Sequence, residues 1–191
     1  MSKKKRTNPN RIPIALGKID RNELLASVSH DNMYYAWLLA IPALMQQEGF
    51  TSEKIIELWD AVNEYVSSPD LKGERLMREL SAIEKGINCH APYPSVPIED
   101  IRSKADLESV RRKLKKNAIY TAICMILVGL RATQAFDFEL LGRVYFNADL
   151  TLAEIEHGYT SYGDLRNWAI EQDIIVTEDR EDMSLASSTA T

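Results

Sequence analysis

Laid on itself with a shift of 86 residues, the chain matches its own pattern, and a repeat governs which folds are open to it. Tyr34 meets Tyr120, Ala36 meets Ala122, Leu44 meets Leu130, Phe50 meets Phe136 and Glu53 meets Glu139. Similar residues fill the intervals: Ile41 with Leu127, Ile55 with Leu141, Leu58 with Val144, Trp59 with Tyr145. Upstream, Asn8-Pro9-Asn10-Arg11-Ile12-Pro13-Ile14 matches Tyr93-Pro94-Ser95-Val96-Pro97-Ile98 after one gap. Chance pairing of two apolar helices explains the aliphatics, but less easily Tyr, Phe and Glu held in register. Two degenerate tandem copies of one unit are therefore expected. Each has an extended proline-rich lead-in, a long apolar helix, a Phe-containing turn and a second helix.

The spacing inside each copy is helical. Tyr34, Trp37, Leu38, Ile41, Leu44 and Met45 recur at steps of three and four, one stripe of a helix. Asp20 with Glu23 offers a capping-type start and Gly49 a stop. The poor helix formers from Ser27 to Asn32 leave a break open between them. Pro42 has no amide donor and should kink the helix or end it early. In the second copy the start is read at Ser103 with Asp106. From Ile119 to Leu130 apolar positions run almost all round, the mark of a helix buried on every side.

Shorter helices should follow each long one: Ser52 to Tyr65 in the first copy, Phe138 to Phe146 as its counterpart. Ser68-Pro69 should open a third helix with proline at its first position, Leu71, Leu76, Leu80 and Ile83 inward and Gly86 after it. Thr151 with Glu154 reads as a capping box, Gly158 as a stop, and Ser161 with Asp164 as another start. Nothing alternates with period two beyond Ile174 to Val176, too short for a sheet.

The expected fold class is all-α, two degenerate tandem helical repeats packed around long buried central helices, each sealed by the helices after it. The boundaries are a disordered basic tail at 1–15, repeat 1 at 16–88, a proline-rich connector at 89–97, repeat 2 at 98–173 and an acidic, polar tail at 174–191. A chain of 191 residues can bury a self-sufficient core. One core is expected rather than two, because the second central helix has too little polar surface to stand alone.

Cys89, in the polar connector, and Cys124, in an apolar run, differ sharply in setting. No secreted disulfide framework looks like that, so a reducing cytoplasm is the expected compartment. No apolar stretch follows Ser2-Lys3-Lys4-Lys5-Arg6, so no secretory signal is expected. The uncharged runs Asn32 to Gln47 and Asn117 to Leu130 fall short of the roughly 20 residues that a spanning helix needs. No membrane partner is expected.

Candidate chemistry is sparse. His30, His90 and His157 have no second ligand at zinc spacing, and adjacent Cys89-His90 lack a partner pair, so no metal is expected. No phosphate-cradling glycine loop and no nucleophile elbow occurs, and no cofactor is expected. Ser29-His30-Asp31 has the letters of a triad, yet neighbours in sequence cannot converge as nucleophile, base and orienter. Glu154 and Glu156 point to different helix faces. Glu53 and Glu57 share one, as solvated carboxylates do. The expectation is that the chain is not an enzyme.

Charge gives a better lead. A net charge of −5 hides a basic start (Lys3, Lys4, Lys5, Arg6, Arg11, Lys18, Arg21) and a second basic run, Arg111, Arg112, Lys113, Lys115 and Lys116. The acidic excess falls late, in Glu171, Asp173, Glu178, Asp179, Glu181 and Asp182. If the copies are equivalent, both basic segments precede the same element and would form one phosphate-contacting surface. A solvated face with a solubilising tail is the alternative.

Leu152-Ala153-Glu154-Ile155, Gly158-Tyr159-Thr160-Ser161 and Asp164-Leu165-Arg166-Asn167-Trp168 resemble the helix-turn-helix of bacterial DNA-binding regulators. Ile155 to Gly158 is about two residues short of that pattern, and Asp164 would face a phosphate-rich groove. A short helix, a turn and a helix capping the second repeat is the alternative. Arg166 is the cation such an element would use.

Over about 150 residues the chain resembles uncharacterised small helical proteins of Firmicutes phages and mobile elements, as a tandem two-copy version of their unit. The likeness rests on Asn8-Pro9-Asn10-Arg11-Ile12-Pro13, Tyr35-Ala36-Trp37, Glu48-Gly49-Phe50, Leu58-Trp59-Asp60-Ala61-Val62-Asn63, Gly158-Tyr159 and Asp164-Leu165. The second copy departs from it by lacking the Asn-Pro lead-in and the Trp-x-x-Val-Asn run. The resemblance implies a non-enzymatic interaction protein in the bacterial host cytoplasm, such as an anti-CRISPR inhibitor binding a Cas nuclease or its nucleic-acid complex. A DNA-binding regulator and a phage structural or assembly protein are the alternatives, and a homo-oligomer is open.

Overall fold

A computed structural model of the chain describes residues 32–89 and 104–175. The basic tail with Lys3, Lys4, Lys5 and Arg6, the Asn-Pro lead-in, the Asp20–Glu23 start, Ser29-His30-Asp31, the connector from His90 onward, Ser103 and residues 176–191 lie outside the described residues.

Among the described residues there are six α-helices and no strand. They are α1 (Asn32–Pro42), α2 (Ser52–Ser67), α3 (Gly73–Ile87), α4 (Lys104–Gln134), α5 (Phe138–Glu156) and α6 (Tyr162–Glu171). α1 ends at Pro42, and the chain continues through a π-helical turn, Ala43–Gln47. Proline cannot donate to the helical ladder, so Pro42 closes the α-helix without stopping the rod.

α1 and α4 lie against one another at the centre. Trp37, Leu39, Ile41 and Leu44 from the first rod, and Ile126, Leu127 and Leu130 from the second, are sealed from solvent. Each such side chain contributes about 1.5–3 kcal/mol on leaving water. Both rods belong to one continuous apolar cluster that also takes Ile55, Leu58, Val62, Leu80 and Ile83 from the first half and Leu141, Val144 and Leu152 from the second.

The sealing differs from the expectation. α4 is covered by α2 and α3 of the first half, and α1 by α5 and α6 of the second, with α5 also leaning on α4. A rod apolar on every side needs more cover than its own following helices supply, and the other half completes it. The halves interlock.

Positions 86 apart share geometry as well as chemistry. Gly49 and Ala135 both take positive φ, 70° and 55°, and each donates its amide to the carbonyl four residues back (Met45 and Arg131) at 3.1 Å. Two residues later Thr51 and Asp137 cap α2 and α5, accepting from the amides of Lys54 and Leu140 at 3.3 and 2.8 Å. Phe50 and Phe136 stack on each other across the halves, centroids 5.8 Å apart. Tyr34 sits 6.2 Å from Trp59 and Tyr120 6.3 Å from Tyr145. At the ends of α3 and α6 the offset is one residue less: Asn88 and Asp173 take the left-handed conformation, and Cys89 and Ile174 then turn into the core.

Several local expectations are corrected. The third helix starts at Gly73, not Pro69, because the Ser68 hydroxyl accepts the Asp70 amide and holds Ser68–Leu71 as a turn. Gly86 lies inside α3, where a Cβ would come within 2.2 Å of the Phe138 ring, so its role is close packing on α5. Thr151 caps nothing. Its hydroxyl donates to the Asn147 carbonyl within a continuous α5 that runs 19 residues. Ile174, placed by its sequence in the tail, is buried in the core.

Candidate functional site

The basic run is not a lead-in to the buried helix but part of it. α4 is 31 residues long, and its apolar half continues N-terminally into Arg111–Lys116 without a break. Good helix formers dominate the run, and Leu114 is its one buried residue. That anchor turns Arg111, Arg112, Lys113 and Lys115 to solvent.

Three contacts place this end of α4. Lys116 pairs with Glu156 at the end of α5, 2.8 Å away, and lies 5.8 Å from the Tyr120 ring centroid. Lys115 lies over Tyr35 of α1, 5.2 Å from its centroid, and Tyr35 in turn meets Tyr162 of α6 at 4.6 Å. The basic run therefore adjoins the α5–α6 turn, where His157 and Tyr159 are exposed, Tyr159 at 84%. Arg111, Arg112 and Lys113 meet no carboxylate among the described residues. Lys116 is the member of the run whose charge is already matched.

The turn is tightly made. Gly158 takes φ 76°, the Tyr159 amide bonds the Glu154 carbonyl at 2.9 Å, and Ser161 with Asp164 forms a full capping box at the start of α6. The Asp164 carboxylate faces back onto Ser161, accepting from its amide and hydroxyl. Arg166 stands exposed on α6, one turn beyond Tyr162. Among the described residues no hydrogen bond or ion pair joins it to the basic run. The N-terminal cations that were to share this surface lie outside the described residues.

Two hollows escaped the sequence reading. One, of about 190 Å³, is walled by Tyr34, Ile56, Trp59, Ile174 and Ile175 with Asp60 at its rim. The other, of about 680 Å³, is an open groove between the end of α3 and α5, lined by Gly86, Ile87, Phe138, Gly142 and Phe146. Its cation, Arg143, is engaged by Glu48 at 2.6 and 3.0 Å and by Glu139 at 2.9 Å. That bond to Arg143 holds the Glu48 carboxyl below the usual range. No periodicity of a single segment marks either hollow, since each draws its walls from both halves.

Among the described residues no three potential ligands converge on a metal site, and no helix is long and apolar enough to cross a membrane. The fold defines an all-α protein with a basic end. No protein-family model, curated protein or solved structure matches the chain.

Proposed function

We propose that the protein works by binding rather than catalysis, and that its working surface is the basic end of α4 beside the α5–α6 turn. The observation that carries this is the group Arg111, Arg112, Lys113 and Lys115, four cations exposed on one helix of a chain whose net charge is −5. Such a group attracts an anionic partner locally, where the whole-molecule charge would repel it. Exposed Tyr159 nearby supplies a face on which a base can stack. In its most specific form, the protein is a phage or mobile-element interaction protein that contacts the nucleic acid held by a Cas nuclease and blocks it.

A DNA-binding regulator is the second reading. It is favoured by the α5–turn–α6 unit, whose first helix is long enough to hold α6 and whose Arg166 and Asn167 face outward.

Binding of single-stranded and duplex DNA across a salt series tests both. Each phosphate contact adds about 0.7–0.9 to the slope of log affinity against log salt. Replacing Arg111, Arg112, Lys113 and Lys115 together by Gln is expected to flatten that slope by about 3. Loss on Arg166→Gln with no effect of the fourfold change would favour the regulator. Affinity untouched by either would overturn both, while co-purification with a Cas nuclease that the fourfold change abolishes would support the specific form.

A further inference from the structure

We propose that the smaller hollow, where α1 and α2 meet the chain just past α6, binds a small quaternary ammonium compound of the choline type. Its walls are the rings of Tyr34 and Trp59 and the side chains of Ile56, Ile174 and Ile175, and Asp60 stands at the rim. The two rings meet edge to face, centroids 6.2 Å apart at 63°. Trp59 is held in place from behind: Trp37 stacks on it at 5.1 Å and donates its indole N–H to Asn63 at 3.2 Å. A cation set against such ring faces is attracted by their π-electrons.

The charge around the hollow has the matching sign. α2 carries Glu53, Glu57, Asp60 and Glu64 against Lys54 alone, and Lys54 is paired with Glu57 at 3.1 Å. Among the described residues no ion pair or hydrogen bond engages the Asp60 carboxylate, and no lysine or arginine lies over Tyr34 or Trp59. Lys115 sits over the next ring, Tyr35.

The other half of the molecule shows what these rings can seat. Tyr34 and Trp59 recur 86 positions on as Tyr120 and Tyr145, again a ring pair, 6.3 Å apart. There the chain supplies its own ammonium. Lys116 Nζ lies 5.8 Å from the Tyr120 centroid and is neutralised by Glu156 at 2.8 Å. Ring, ammonium and carboxylate are all present in that half. In the first half the rings and the carboxylate are present, with a hollow of about 190 Å³ beside them.

Size and lining narrow the cation. Pockets for drug-sized ligands run to about 300–1,000 Å³, so this hollow takes a compact head group. A primary ammonium brings three N–H donors to walls that are ring and aliphatic surface apart from Asp60, the Tyr34 hydroxyl and the Trp59 N–H. Donors left unpaired there are costly. A trimethylammonium head has no N–H to satisfy, and its methyl groups suit the isoleucines.

Calorimetric titration of the full chain with choline tests this, alongside ethanolamine and the uncharged carbon isostere of choline, which has tert-butyl in place of trimethylammonium. Choline is expected to bind saturably in the millimolar range and to shift the methyl signals of Ile56, Ile174 and Ile175. Ethanolamine and the isostere should each bind about tenfold more weakly. Asp60→Asn, at an exposed position, should weaken choline several-fold and flatten its salt dependence without moving the thermal midpoint. Tyr34→Leu, which removes a ring and keeps the bulk, should cost about tenfold. No saturable choline binding would overturn the proposal. So would an isostere or ethanolamine that binds as well as choline, or a choline affinity indifferent to Asp60→Asn.

Discussion

The Tyr162 hydroxyl is buried with no hydrogen-bond partner among the described residues, although its ring is well placed against Tyr35. A buried polar group left unpaired costs about 1–3 kcal/mol. Tyr162→Phe is therefore expected to raise stability by about 1 kcal/mol in denaturant titrations at neutral pH. Burial also pushes its ionisation up to about 12, against about 10 for a free tyrosine. Because the neutral form is favoured in the folded state, this contribution is intact below about pH 10 and is lost as pH rises through 12. Tyr120 and Tyr145 shift the same way, chiefly through burial. The wild type should lose stability above about pH 10, and Tyr162→Phe should lose less. Individual side chains were legible from sequence where one helix decides their fate, as for Trp37 and Leu127, both sealed. They were illegible where a partner far along the chain decides. Asn63 accepting from the Trp37 indole at 3.2 Å has no local signature.

At the scale of elements, hydrophobic spacing located the helices well and misplaced several ends. A helix ends where its backbone groups find other partners, and those partners are single atoms. Ser68 and Thr151 have similar hydroxyls. One accepts an amide two residues on and makes a turn, the other donates to a carbonyl four back and lies inside α5. The caps at Thr51 and Asp137 begin α2 and α5 at matching places, so they should carry similar weight. Thr51→Ala and Asp137→Ala are each expected to cost about 1 kcal/mol, measured by urea unfolding. A cost confined to one of them would show that the two helices are not held alike.

Across the whole molecule, the repeat in the sequence pointed to two central rods but not to how they are covered. Pairing of helices from opposite halves depends on which apolar faces are left open once each rod has formed, and no window of sequence contains both partners. The result is a core that neither half closes alone: α2 and α3 lie on α4, α5 and α6 on α1, and Phe50 stacks on Phe136 between them. The basic end of α4 gains its position from this arrangement, because Leu114, the Lys116–Glu156 pair and the Lys115–Tyr35 contact tie it to elements of both halves. Native-state hydrogen exchange in rising denaturant tests the interlock most directly. The slowest amides of Leu39–Ile41 and of Ile123–Leu127 are expected to exchange at one shared free energy, equal to that of global unfolding. If either rod opened at a distinctly lower free energy while the other stayed protected, the halves would be separate cores laid side by side.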